Sequence, residues 1–316
     1  MDPLTYLQAV VIGMLQGATE LFPVSSLGHA VLIPALIGGS LQHLVTEAST
    51  ANSEQSPYLA FIVALHVATA IALLVFFWRD WVRIIAAFFR SCARRSVETS
   101  DERLAWLIVI ATIPVGITGL LLEHSFRTLF AKPLAAAMFL FINGLILLVG
   151  ERLRRDAERR EAERQGAVLA ESSAAVDDHG RLVVGERRTL VDLRYREAGI
   201  IGAFQTFALF AGISRSGITM VGGLLRGLDH EDAAKFSFLL ATPVIFAAGV
   251  LKLPVLAGPA GDGIRGPVLV GCVVAGVSAY LSVRFLLRFF ETRTLRPFAI
   301  YCLAMGAFCI VRFSIG

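Results

Sequence analysis

The sequence predicts an all-α polytopic membrane protein, and three observations lead there. Of 316 residues 56% are hydrophobic and only 17% charged, and the mean hydropathy of +0.69 lies far above what a water-soluble domain sustains. Six continuous apolar runs approach or reach the ~20 residues that a helix needs to cross a bilayer. Two further apolar regions are interrupted in the middle by Pro, Ser, Gly and an ionisable residue. The expected fold is about six full transmembrane helices plus two re-entrant broken helix pairs related as an inverted repeat.

The six runs cover residues 58–78, 104–122, 134–149, 236–251, 267–283 and 297–311. The interrupted regions, 3–39 and 198–225, read as helices broken at membrane depth. Lipid cannot satisfy irregular backbone, so such breaks survive only where they are buried in protein or line a wet cavity, and function is to be sought there. Residues 81–90 place apolar side chains on one side with Arg83 and Arg90 between them, the pattern of a short interfacial helix.

The net charge of +4 does not point to nucleic acid, because the 29 basic residues lie between apolar segments. They report topology instead. Residues 79–103 carry six, 151–197 carry eleven, Arg226 and Lys235 flank a turn, and Arg284, Arg288, Arg293 and Arg296 surround another, so that 23 of the 29 fall on one side. By the positive-inside rule that side is the cytoplasm. The loops expected outside are poor in Lys and Arg: 40–57 has none, 123–133 has Arg127 and Lys132, and 254–266 has Arg265. The spans alternate without conflict only if each broken region returns to its own side, with 3–39 dipping in from outside and 198–225 from inside.

The organisation expected is a single transmembrane domain over 1–316, with a first repeat of about 1–150, a second of about 198–316, and a charged cytoplasmic insertion at 151–197. That insertion reads as a solvated excursion beginning as a helix extension, without chemistry of its own. The N-terminus lacks a basic n-region, and the first Lys or Arg is Arg79, so a cleaved signal peptide is not expected. Cys92, Cys272, Cys302 and Cys309 form no C-x-x-C pair and read as small packing residues.

A shift of 189 residues pairs Gly13 with Gly202, Gln16 with Gln205, Val24 with Ile213, Ser25 with Ser214 and Gly28 with Gly217. The two broken regions thus read as copies entering from opposite faces. In such repeats the interrupted helices meet near the bilayer midplane and present half-helix N-termini to a shared site.

The first break runs from Gln16 to His29 through Glu20, Pro23, Ser25 and Ser26. Gln16 and Glu20 share a helix face; Pro23 ends that half-helix, Ser25 suits an N-cap, and Ser26 and His29 lie three apart on the next first turn. The second break holds Ser214, Arg215, Ser216 and Thr219. There Ser214 can cap, and Arg215 with exposed backbone N–H groups at a half-helix N-terminus makes an anion site suited to phosphate. Serine and threonine inside membranes are often mere packing residues, which competes as a reading for Ser214, Ser216 and Thr219. An intramembrane Arg, Glu or His is costly, roughly 2.5–3.5 kcal/mol for Arg at mid-span, and marks function. His66 is expected to pack or line a cavity; His43, His124, His179 and His230 carry no assignment.

The string from Gln16 to His29 (Q-x-x-x-E-L-F-P-V-S-S-L-G-H) together with 212–219 (G-I-S-R-S-G-I-T) resembles the bacterial undecaprenyl-diphosphate phosphatases, the bacitracin-resistance family. The likeness covers nearly the whole chain outside 151–197. Two departures stand out: Ala211 where the family usually has Pro, and the amide of Gln16 in place of the commoner acid. The resemblance implies hydrolysis of the C55 isoprenoid diphosphate to the monophosphate carrier lipid, in the bacterial cytoplasmic membrane, with a site reached from the outer face.

On that basis Ser26 is expected as the nucleophile on the terminal phosphorus, His29 as acid/base, and Glu20 as the group orienting His29 or holding a divalent cation, Mg2+ or Ca2+, with Gln16. Arg215 and the half-helix N-termini would meet the phosphoryl charge, with Gln16, Ser25, Ser214, Ser216 and Thr219 contacting substrate. His29 as nucleophile with Ser26 as donor is a variant. The competing class is a polyprenyl-phosphate transporter or flippase, which needs the anion site but no nucleophile. Polyprenyl diphosphate and membrane lipids are the partners expected, nucleic acid is not, and a homo-oligomer is compatible.

Overall fold

The computed structural model describes residues 4–39, 57–130, 132–171, 189–257 and 263–315, and among them the chain forms helices and no strand. The first helix, α1 (Tyr6–Thr19), begins at a capping box: Thr5 Oγ1 accepts from the Gln8 amide at 3.2 Å, and Gln8 Oε1 accepts from the Thr5 amide at 2.9 Å. Pro23 prevents its continuation, and α2 (Ser26–Ile37) starts afresh.

Five of the six expected apolar runs fall within single helices, α5 (Ser100–Phe130), α6 (Pro133–Glu171), α9 (His230–Ala257), α10 (Arg265–Phe290) and α11 (Arg296–Ile315), while the first, 58–78, is helical in α3 (Pro57–Phe76) and breaks at Phe77. Of these α5, α6, α10 and α11 are long and apolar enough to cross a membrane. A fifth span appears if α3 is counted with α4 (Trp78–Arg94), which leaves it at 86°. The chain is a multi-pass membrane protein. Its outward faces carry large apolar side chains such as Leu121 at 77% exposure and Leu269 at 68%, which water would penalise and lipid accepts.

The interfacial helix expected at 81–90 is longer, spanning α4. Trp78, Val82, Ile85 and Phe89 form one exposed apolar stripe, while Ile84, Ala87 and Ser91 are buried against the body. The second broken region comprises α7 (Tyr195–Gln205), a 3₁₀ turn (Thr206–Leu209) and α8 (Arg215–Leu224).

Helix contacts are exchanged between the halves. The broken helix α1 lies along α10 of the second half, and its counterpart α7 lies along α5 of the first; α3 pairs with α9 and α6 with α11. Matched glycines permit close approach in two of these pairs: a Cβ on Gly13 would strike the Gly271 carbonyl, and one on Gly202 the Ala111 carbonyl. One buried apolar cluster runs through both halves, and a smaller one gathers α1, α3 and α10.

The insertion at 151–197 is not solvated at its ends. Its start extends α6 as expected, but Glu151 is buried and accepts from His230 Nε2 at 2.8 Å and from Arg155 Nε at 3.1 Å. Where the chain returns, Leu190 and Leu193 are buried, and Arg103 donates to the Leu193 carbonyl at 3.0 Å. A charged sequence signals solvation only for side chains that find no partner; here His230 and Arg103 supply partners from far along the chain. Residues 172–188 of the insertion lie outside the described residues.

Candidate active site

The two breaks meet. Ser25 caps α2, its Oγ accepting from the Gly28 amide at 3.2 Å, and the same oxygen accepts from the Gly212 amide of the second break at 3.1 Å. Its repeat mate Ser214 caps α8 the same way, accepting from the Gly217 amide at 3.1 Å. Ser216 Oγ donates to the Phe22 carbonyl at 3.1 Å, binding the second break to the first. Gly212 turns with φ +113°, a conformation side chains resist, and a Cβ there would meet the Ala136 carbonyl.

Asn143, in the first third of α6 and fully buried, spans both breaks: its Nδ2 donates to the Pro23 carbonyl at 3.1 Å while its Oδ1 accepts from the Ser214 amide at 3.0 Å. Replacing it with Leu leaves the buried Ser214 N–H unpaired and the Pro23 carbonyl with only the weak Cys302 thiol at 3.8 Å, a cost of about 1–3 kcal/mol for the N–H alone. Thermal unfolding in detergent should show Asn143→Leu melting well below the parent. Equal melting would mean that the breaks are held together elsewhere.

Around this junction four side chains converge on Glu20, which is 7% exposed at the end of α1. Arg215 donates to Glu20 Oε1 at 2.7 Å. Oε2 accepts from the Ser26 hydroxyl and from Gln16 Nε2, the latter at 2.9 Å. His66 of α3 brings its Nε2 to 3.4 Å from the same oxygen, its Nδ1 donating to the Ile62 carbonyl at 2.8 Å. The other guanidinium nitrogen of Arg215, Nη1, is buried with no hydrogen-bond partner. Such an unbonded cationic N–H, beside a hydroxyl aimed at a carboxylate, has a donor free that an anion could accept from.

The expected set divides. Gln16, Glu20, Ser26 and Arg215 come together, whereas His29 does not join them. Its Nδ1 donates back to the Ser25 carbonyl at 2.7 Å, and its Nε2 accepts from the Tyr301 hydroxyl at 2.7 Å. Glu20 therefore orients Ser26 and not His29. Spacing of three residues puts Ser26 and His29 on one helix face, but it does not fix which way the ring turns. Ser25, Ser214, Ser216 and Thr219 are each at most 4% exposed, and their hydroxyls are spent on the caps, on Phe22 and, for Thr219, on the Arg215 carbonyl at 2.7 Å. They build the site's walls. Ser26, Arg215 and His66 keep partial exposure. Sequence reasoning left His66, Asn143 and Tyr301 out of the site; for His66 and Asn143 the only signal was a polar residue alone in a long apolar helix.

Residues 9–308 match the family model of the bacitracin resistance protein BacA. The chain belongs to that family. Relatives include the undecaprenyl-diphosphatase 2 of Frankia alni, 66% identical over 100% of both chains. The undecaprenyl-diphosphatase of Mycolicibacterium paratuberculosis is 57% identical over 98% of this chain and 97% of its own, and that of Granulibacter bethesdensis 44% identical over 96% of each.

For this BacA-family site, a resident divalent cation is poorly matched by the donors present. Glu20 is a single carboxylate whose two oxygens already hold Arg215, Ser26 and Gln16, and Gln16 spends its amide N–H there, keeping only a carbonyl oxygen for a metal. Among the described residues no three His, Cys, Asp or Glu side chains converge. Calcium takes six to eight oxygens and magnesium six, and a guanidinium at the carboxylate opposes a second cation.

Proposed function

We propose that this protein hydrolyses undecaprenyl diphosphate to undecaprenyl phosphate and inorganic phosphate, recycling the carrier lipid of cell-wall synthesis and conferring bacitracin resistance. The observation that carries this reading is the contact between the Ser26 hydroxyl and Glu20, whose other oxygen is held by Arg215. A carrier or flippase would need the anion-binding guanidinium, but it gives no reason to activate a hydroxyl beside it.

In the proposed reaction Ser26 Oγ attacks the terminal phosphorus while its proton passes to Glu20. The bond from phosphorus to the bridging oxygen breaks, and the lipid monophosphate departs with that proton. Water then attacks the phosphoserine, giving a proton to Glu20 that returns to Ser26 as inorganic phosphate leaves. Arg215 turns its unbonded Nη1 to the phosphoryl oxygens, supplying the electrostatic positioning on which phosphoryl transfer mostly depends. The N-terminus of α8, capped by Ser214, adds its dipole.

The reading places the protein in the bacterial cytoplasmic membrane with the site opening to the outer face, where the first break dips in. The donor set argues that any divalent cation arrives with the diphosphate and is held chiefly by it. The test is phosphate release from undecaprenyl or farnesyl diphosphate by the purified protein in detergent. Multiple turnovers are expected; tight lipid binding with no release would overturn the assignment.

A further inference from the structure

We infer that Tyr301 is a positioning residue for the reaction, acting through His29 to fix the backbone from which Ser26 is aimed. Where it concerns turnover, this rests on the phosphatase reading above. Ser25 has φ +70° and ψ 99°, a conformation outside the ordinary basins of a residue with a side chain. Such a conformation persists only where its surroundings over-determine it. Its side-chain oxygen is held by the Gly28 and Gly212 amides, and its carbonyl by the His29 amide at 3.2 Å and by His29 Nδ1 at 2.7 Å. Ser26 is the next residue, so any relaxation at Ser25 redirects the nucleophile away from Glu20.

The tautomer of His29 follows from its partners. A carbonyl oxygen only accepts, so Nδ1 carries the proton that reaches Ser25. In the neutral ring Nε2 is then an acceptor, and the hydroxyl that supplies its proton belongs to Tyr301, 272 residues away on α11, at 2.7 Å. The two rings lie nearly parallel, 11° apart, with centroids separated by 5.7 Å. His29 is 1% exposed, so water does not compete for Nε2, whereas Tyr301 is 43% exposed, standing at the protein's outer surface. The next residue on α11, Cys302, accepts from Asn143 at 3.4 Å, so a single helix supports both the Ser25 carbonyl and the clamp between the breaks.

Tyr301→Phe keeps the ring and removes only the proton donor. It is expected to lower kcat about tenfold to a hundredfold, the scale of a slightly misplaced reacting group, with KM little changed because the phosphate-binding guanidinium is untouched. In protein labelled with 15N-histidine, the resonance pair assigned to His29 by its absence from His29→Gln should report the Nδ1–H tautomer in the parent, with the Nε2 signal shifting in Tyr301→Phe as that nitrogen loses its hydrogen-bond donor. A kcat equal to the parent's, or a lowered kcat with the His29 Nε2 signal unmoved, would overturn the inference. If Tyr301→Phe does not yield folded protein, 3-fluorotyrosine placed at 301 preserves shape and alters only hydroxyl acidity. It should shift the His29 nitrogen signals, and unmoved signals would likewise overturn the inference. The spectra do not depend on turnover, so a parent protein that released no phosphate would refute the phosphatase reading while leaving the Tyr301 to His29 link tested.

Discussion

Glu20→Gln is expected to reduce turnover by about a thousandfold and to destabilise the protein as well. The amide cannot take the Ser26 proton, and a positioned general base is worth roughly 10²–10⁴ in rate. It also leaves Arg215 without its anion; that side chain is 14% exposed and Glu20's is 6%. Removing one partner of a buried pair costs about 3–5 kcal/mol because the other charge stays unpaired. Ser26→Ala is the matching control. It deletes the nucleophile and leaves the ion pair in place, so turnover should vanish while thermal unfolding in detergent stays near the parent's. If Glu20→Gln turned over substrate within about tenfold of the parent, the loss of a base worth roughly 10²–10⁴ would be excluded and another group would have to accept the Ser26 proton.

Arg215→Lys is expected to cut kcat/KM by about a hundredfold or more with only a modest change in melting. An ammonium can still pair with Glu20 as a point charge, but it lacks the planar fork that serves Glu20 through one nitrogen and a phosphoryl oxygen through the other. Losing one preorganised donor to a developing oxyanion typically costs 10²–10³ in rate. The split between stability and turnover separates two roles for this arginine. If it merely neutralised Glu20, the lysine variant would keep near-normal turnover, and Arg215→Ala would be the damaging change.

Helix content and the location of the site were legible because both rest on local patterns. Long apolar runs specify spans by length alone, and Pro23 with Ser25, or Gly212 with Ser214, punctuate a helix within a few residues of one another. The pairing of Glu20 with Arg215 was open to inference only through the repeat, since nothing local links positions 195 residues apart. His66 could not be read as a neighbour of Glu20, because a lone histidine in α3 carries no mark of which helix it faces. His29 was misdirected for the opposite reason. Its spacing from Ser26 was suggestive, yet the side-chain torsion was decided by the Ser25 carbonyl one turn back and by a tyrosine near the end of the chain. Sequence spacing gives faces, and distant partners choose directions.

The separation between Glu20 and Arg215 also has a bearing on biogenesis. Ribosomes add about 5–20 residues per second, so the 195 residues between the two groups correspond to roughly 10–40 s of synthesis. Throughout that interval Glu20 has Gln16, Ser26 and His66 from its own half of the chain but not the guanidinium, and an intramembrane carboxylate without its cation is costly. A chain truncated before residue 215 keeps that acid with Gln16, Ser26 and His66 but without its guanidinium, and in that respect an unfinished copy differs chemically from a finished one.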